Sequence, residues 1–238
     1  MRLMRRKIDD FLKEWKENED RLPLIVKGAR QIGKTASIMQ FANDNYKNVV
    51  AINFVLQQKF KSIFDDGYDV DSVMRNITLI DPSIELEPGN TIFFFDEMQD
   101  CPVCATSLKA FKIDGRYDVV CSGSLMGINY QEIESNSVGY KEDYTMHSMD
   151  FEEFLWAKGY QEQVISDMLE HMLSGTPFSA SEQNTFSNLF LEYCILGGMP
   201  AIVSNYIAKG TFEGSLQLQR QLLTDYENDI IKYAEGLD

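Results

Sequence analysis

Metal and redox chemistry have little to work with in this chain, whose 238 residues hold two histidines and four cysteines. His147 and His171 match no metal-ligand spacing. Cys101-Pro-Val-Cys104 has the spacing of a metal or redox pair, but a structural zinc site needs a second pair of ligands. Cys121 sits in an apolar strand-like run and Cys194 in a helical one, so all four are expected to be free, reduced thiols, as a cytosolic setting implies. Positive charge is also scarce. Lys and Arg number 22 against 37 Asp and Glu, a net charge of -15, which as a whole repels nucleic-acid phosphates and anionic membranes. The one basic cluster, Arg2, Arg5, Arg6 and Lys7, is shorter than the basic runs of nucleic-acid binders and reads as a solvated first helix turn. No apolar stretch approaches the roughly 20 residues that a membrane-spanning helix requires. The basic start passes straight into Ile8-Asp9-Asp10-Phe11-Leu12, without the apolar segment of a secretory signal. The expectation is a cytoplasmic protein with no membrane partner and no indicated nucleic-acid partner.

What is present is ordinary globular material. Hydrophobic residues make up 44% and charged residues 25%, enough for a sizeable core. Ile8, Phe11, Leu12 and Trp15 recur at helical spacing and predict a helix over 4–17. Pro23 to Lys27 reads as a buried strand, 35–43 as a helix and 49–54 as a second strand. Helices are expected around 59–64 and 70–76. The turn-rich Glu87-Pro88-Gly89-Asn90 launches a third strand over 91–95, followed by a helix over 103–111 and a fourth strand over 117–121. Strand and helix alternate from 23 to 124, the signature of an α/β fold with a parallel sheet covered on both faces. Beyond about 150 the pattern turns helical. Asp150 with Glu153 resembles a capping box opening a helix that stops at Gly159. Further helices fit 161–173, 181–195 and 213–234. Residues 1–149 are read as the α/β core and 150–238 as a smaller helical domain. Gly197 to Pro200 reads as a helix stop with a turn.

Gly28-Ala29-Arg30-Gln31-Ile32-Gly33-Lys34-Thr35 matches the phosphate-loop pattern at every fixed position, between an expected strand and an expected helix. Glycine lets backbone amides turn inward where a side chain would block a phosphate. Lys34 offers a point charge to the β and γ phosphates, and Thr35 a hydroxyl to Mg²⁺. The helix through Ala36 aims its positive end at the same place. Asp96 and Glu97 follow the apolar Ile92-Phe93-Phe94-Phe95. Such a pair is often only a solvated strand end, but downstream of a phosphate loop Asp96 fits Mg²⁺ and Glu97 fits activation of a water. Gln99 lies close enough to help position the site. Ser122-Gly123-Ser124 ends the fourth strand; it serves either as polar contacts to the γ-phosphate or water, or as a plain strand-to-loop turn. The glycines do not fit a nucleophile elbow around Ser124.

Together, Gly-Ala-Arg-Gln-Ile-Gly-Lys-Thr, Phe-Asp-Glu-Met-Gln and Ser-Gly-Ser resemble the AAA-superfamily P-loop ATPases of bacteria and archaea that carry a C-terminal domain of unknown function. Tyr144 to Trp156, Gly197-Gly198-Met199-Pro200 and Asp225 to Lys232 extend the resemblance over nearly the whole chain. It implies a three-layer, ASCE-type core in which an inserted strand separates the Asp-Glu strand from the phosphate-loop strand. It assigns Lys34 and Thr35 to phosphate and Mg²⁺, Asp96 to Mg²⁺, Glu97 to catalysis, and Ser122 or Ser124 to a polar sensor. Members of that family continue past the equivalent of Asp238 into a nuclease-like domain, so the resemblance implies a truncated chain here. Relatives show Gly-Arg where this chain has Gly139-Tyr140, which puts any sensing or finger role of that arginine in doubt.

The expected activity is Mg²⁺-dependent binding of ATP and its hydrolysis to ADP and phosphate. The rivals are a non-hydrolysing nucleotide switch and a small-molecule kinase sharing the same loop. A GTPase is disfavoured, since no Asn-Lys-x-Asp segment occurs. No arginine finger is legible; Arg75 and Arg116 are candidates, acting in trans within a homo-oligomer or supplanted by a partner protein's arginine.

Overall fold

The computed structural model describes residues 4–124 and 139–234. It divides into two compact units, one spanning Ile8–Met146 and the other running from His147 onward together with the N-terminal segment before Ile8. The boundary expected at 149 therefore falls at 146, and residues 4–7 group with the helical unit. Arg2 lies outside the described residues.

In the first unit, five parallel strands form one sheet: β1 (Leu24–Gly28), β2 (Asn48–Asn53), β3 (Thr91–Asp96), β4 (Asp118–Ser124) and β5 (Glu142–Thr145). Their order is β2-β3-β4-β1-β5, so β4 is the inserted strand between β3 and the loop-bearing β1. β1 and β3 are buried along their whole length, which is why residues 24–26 and 92–95 read as unbroken apolar runs rather than alternating ones. β5 is an edge strand whose residues alternate between half-buried and exposed. Only four residues long and carrying Glu142 and Asp143, it has too little apolar content to announce itself in sequence, and it was not expected.

Helices α1 (Lys7–Glu17), α2 (Lys34–Asn45), α3 (Val70–Ile80) and α4 (Cys104–Asp114) flank the sheet. On one face Val73, Ile77, Leu108 and Phe111 pack against Ile52, Phe93, Phe95 and Cys121. The rings of Phe93 and Phe111 lie 5.6 Å apart and those of Phe54 and Phe95 5.8 Å; such pairs contribute about 0.5–1.5 kcal/mol beyond their buried area. Trp15 of α1 meets Phe41 of α2 edge-on at 6.2 Å, and Phe11 meets Tyr144 of β5 at 4.4 Å. The helix expected around 59–64 is present as a 3-10 helix, Gln58–Phe64. Cys101, Cys104 and Cys121 are buried, Cys194 is exposed, and all four are free.

The second unit contains α5 (Phe151–Ala157), α6 (Glu162–Ser174), α7 (Ala180–Leu196), α8 (Pro200–Lys209) and α9 (Ser215–Ala234). They enclose a core of Phe154, Leu155, Leu189, Leu196, Ile202, Val203 and Tyr206. The Asp150–Glu153 capping box is present in full, and a second one, Ser179 with Glu182, opens α7. Arg6 and Glu153 form a buried ion pair at 3.0 Å. Gly197 to Pro200 is both a stop and a start. Gly197 ends α7, and Pro200 occupies the first turn of α8, where its missing N–H has no intrahelical partner to lose. Gly198 is held by close approach: a Cβ there would stand 2.0 Å from the Met149 carbonyl oxygen, and Met149 N–H donates to the Gly198 oxygen at 2.7 Å. Among the described residues no helix is long and apolar enough to cross a membrane.

Candidate functional site

The site lies at the carboxyl ends of the sheet strands, where ligands of open α/β sheets gather. β1 ends at Gly28 with φ 155. A Cβ there would sit 2.3 Å from the Met146 carbonyl oxygen and 2.7 Å from Ile32 Cδ1, so only glycine lets the chain leave the strand here. Gln31 and Gly33 adopt positive φ, 63 and 99, and the chain curls before entering α2 at Lys34. Ile32 turns into the core, 1% exposed, and pins the loop from beneath. Gly33 caps α2 without any side-chain hydrogen bond. The first-turn N–H groups, next to Thr35 and Ala36, therefore face outward as a donor cluster at the positive end of the helix.

Lys34 is buried, and its ammonium donates to the carbonyl oxygens of Gly28 at 2.9 Å and Ala29 at 2.6 Å. Burial pulls its pKa below the ordinary lysine value, opposed by the nearby charges of Glu97 and then Asp96. The lysine thus shares one electrostatic neighbourhood with both acids.

Asp96 is the hub. Thr35 Oγ1 donates to its Oδ2 at 3.1 Å, Asn53 Nδ2 to the same oxygen at 3.0 Å, and Glu97 N–H to Oδ1 at 3.1 Å. Ser122 Oγ also donates to Oδ1. Asn53 was missed from sequence. It ends β2 directly opposite Asp96 in the β2–β3 register, and register between distant strands leaves no local signature. Its orientation is fixed, because Oδ1 accepts the N–H groups of Val55 at 3.1 Å and Leu56 at 2.9 Å, leaving Nδ2 for Asp96.

Glu97 has left-handed backbone angles, φ 55 and ψ 48, a conformation costing roughly 1–2 kcal/mol for a residue with a Cβ. Its carboxylate accepts from Gln99 Nε2. Ser124 pairs in register with Gly28. Its hydroxyl is buried with no hydrogen-bond partner among the described residues, a situation that costs about 1–3 kcal/mol. The structure thus brings Lys34, Thr35, Asp96, Glu97 and Ser122 together, with Ser124 beside the loop's first glycine. Arg116 stands elsewhere, before the amino end of β4, paired with Asp71 at 2.6 Å and Asp114 at 2.8 Å. Arg75 pairs with Asp66 at 3.4 Å. Tyr140, where relatives were expected to show arginine, lies under the Lys109 ammonium at 4.9 Å.

A five-stranded parallel sheet flanked by helices, with a glycine-rich turn feeding a helix beside a strand-end acid, defines a P-loop NTPase-like α/β fold. The model of the AAA domain family matches residues 20–155, more than half of the chain, and the chain belongs to that family. A search of curated proteins finds no match. Among solved structures, Drosophila ORC bound to DNA is similar at 14% identity, covering 90% of this chain and 66% of that one, with a TM-score of 0.46. Thermotoga maritima RuvB aligns at 14% identity over 69% of this chain and 52% of that one, TM-score 0.44. C. elegans PCH-2 aligns at 10% over 74% and 49%, TM-score 0.41. The chain spans about half the length of the last two.

Proposed function

We propose that this chain binds ATP together with Mg²⁺ and hydrolyses it to ADP and phosphate. The observation that carries the reading is the 3.1 Å contact between Thr35 and Asp96, 61 residues apart in sequence. A hydroxyl and a carboxylate converging beside a helix N-terminus are the hard oxygen donors that Mg²⁺ takes alongside phosphate. Thr35 and Asp96 would hold the ion, which would supply positive charge to offset the negative charge that develops on the phosphate oxygens.

The remaining work belongs to the chain. Backbone N–H groups of residues 29–36 cradle the phosphates, and Lys34 swings its ammonium from the loop carbonyls to the β and γ oxygens. Asn53 and Ser122 hold Asp96 in one orientation. Glu97 orients the attacking water and accepts its proton at a carboxylate oxygen. The buried Ser124 hydroxyl, beside Gly28, supplies a hydrogen bond to the γ-phosphate or to the water. A finger arginine would come in trans, from a second copy or from a partner protein. Arg75, with a single long ion pair among the described residues, is a better candidate than the doubly paired Arg116. Loss of a finger costs about 10³ to 10⁵ in rate, so turnover per chain should rise with protein concentration.

The test is phosphate release with and without Mg²⁺, comparing the intact chain with Lys34→Ala and Glu97→Gln. Lys34→Ala is expected to lose nucleotide binding, and Glu97→Gln to keep binding while losing turnover by about 10²-fold or more. Equal turnover in all three proteins would defeat the assignment.

A further inference from the structure

Resting on that reading of Glu97 as the base, we infer that Gln99 is a positioning residue for the Glu97 carboxylate, and that Gly123 is there to leave it room. Three observations converge on this pair. First, Glu97 departs from β3 in a left-handed conformation, which a residue with a side chain keeps only when its surroundings hold it. Its N–H is held by Asp96 Oδ1 at 3.1 Å, and its carbonyl by Asp100 N–H at 3.0 Å. The side chain has one described bond, from Gln99 Nε2 to Oε2.

Second, the Gln99 carboxamide serves little else. Beyond Glu97, its Nε2 has only a contact of 3.4 Å with exposed Asp100. Its Oε1 is buried without a hydrogen-bond partner among the described residues. A glutamine held for packing would be expected to satisfy that oxygen, since buried acceptors are nearly always paired. The opposite amide orientation is excluded, because it would set Oε1 against the Glu97 carboxylate.

Third, the space beside Oε1 is reserved by β4. A Cβ on Gly123 would stand 3.1 Å from Gln99 Oε1 and 3.5 Å from Met98 Cγ. The second distance is ordinary contact; the first obliges the carboxamide to move by a few tenths of an ångström. Gly123 does not have a positive φ, so alanine is acceptable to the backbone and its effect passes through Gln99. Within Ser122-Gly123-Ser124 the two serines serve the site directly, and the glycine between them serves the base through Gln99.

The experiment is a double-mutant cycle in steady-state ATP turnover, with Gln99→Ala, Gly123→Ala, the pair together, and Glu97→Gln as reference. Gln99→Ala should lower kcat by about 10-fold or more with KM for ATP unchanged, because misplacement of a catalytic group by an ångström can cost about 10²-fold. Gly123→Ala should lower kcat about 3- to 10-fold, the smaller displacement giving the smaller loss. In the Gln99→Ala background Gly123→Ala should have no further effect, a non-additivity that a general loss of stability would not produce. Gln99→Asn, which keeps the carboxamide on a shorter stem, should recover part of the loss. Additive effects, or losses carried by KM alone, would overturn the inference. If Glu97→Gln abolishes turnover while Gln99→Ala and Gly123→Ala match the parent chain, only this inference fails. If Glu97→Gln itself turns over normally, the base assignment beneath it fails.

Discussion

Lys34 is the residue that this fold holds against its own stability. A lysine with 7% of its surface exposed gives up much of the hydration of its amine, and two carbonyl oxygens at 2.6 and 2.9 Å return only part of it. Its pKa in the folded chain lies below the ordinary lysine value, with burial the largest cause. The sign follows. Between the lowered pKa and the free-lysine value the unfolded chain binds more protons than the native one, so this residue's contribution to stability rises as pH climbs through that window. Below it, the whole penalty of a charged buried amine is present. Lys34→Met should therefore raise the melting temperature of the nucleotide-free protein by about 2–4 °C, the shift expected for roughly 1 kcal/mol in a chain of this size. It should also flatten the alkaline pH dependence and abolish stabilisation by ATP. Calorimetry across pH checks all three; a lower melting temperature at neutral pH would show that the loop carbonyls depend on the ammonium more than it costs to bury.

Elements were legible wherever one stretch of chain decides its own conformation. The glycine-rich turn into α2, the apolar runs of β1 and β3, and the Asp150 cap each combine a local residue type with a local conformation, and each is readable. What escaped depends on contacts from elsewhere. Asn53 acquires its meaning from lying opposite Asp96 across two strands. β5 is four residues with two acids, and β1 supplies its partner. Pro200 looked like a breaker because its position relative to a helix start cannot be known until the chain before it has stopped. The caps allow a direct test at this scale. The Asp150 carboxylate accepts Glu153 N–H at 2.9 Å, and the Glu153 carboxylate accepts Asp150 N–H at 3.2 Å. Asp150→Ala should cost about 1 kcal/mol in urea unfolding of the helical unit, and Asp150→Ser should restore most of it. No change for alanine would mean that the packing of Phe154 and Leu155 alone sets where α5 begins.

At the scale of the whole molecule, the dominant quantity is its net charge of -15. Self-repulsion of that size opposes compaction, and its range shrinks from about 30 Å at 0.01 M salt to about 8 Å at 0.15 M. Raising NaCl over that interval should increase the melting temperature, in contrast to a chain held mainly by exposed ion pairs, which salt weakens. A falling melting temperature would put pairs such as Lys47–Glu87 and Lys7–Asp150 ahead of the overall repulsion. The strand order has a consequence of another kind. With β4 between them, β1 and β3 are two inter-strand steps apart, about 10 Å, so the loop and the acid cannot meet backbone to backbone. The sheet acts as a gauge block: whatever joins Gly28 to Asp96 must be as wide as one strand. A substitution that shifted β4 sideways would change the gap between the loop and the acid without altering a single group that lines it.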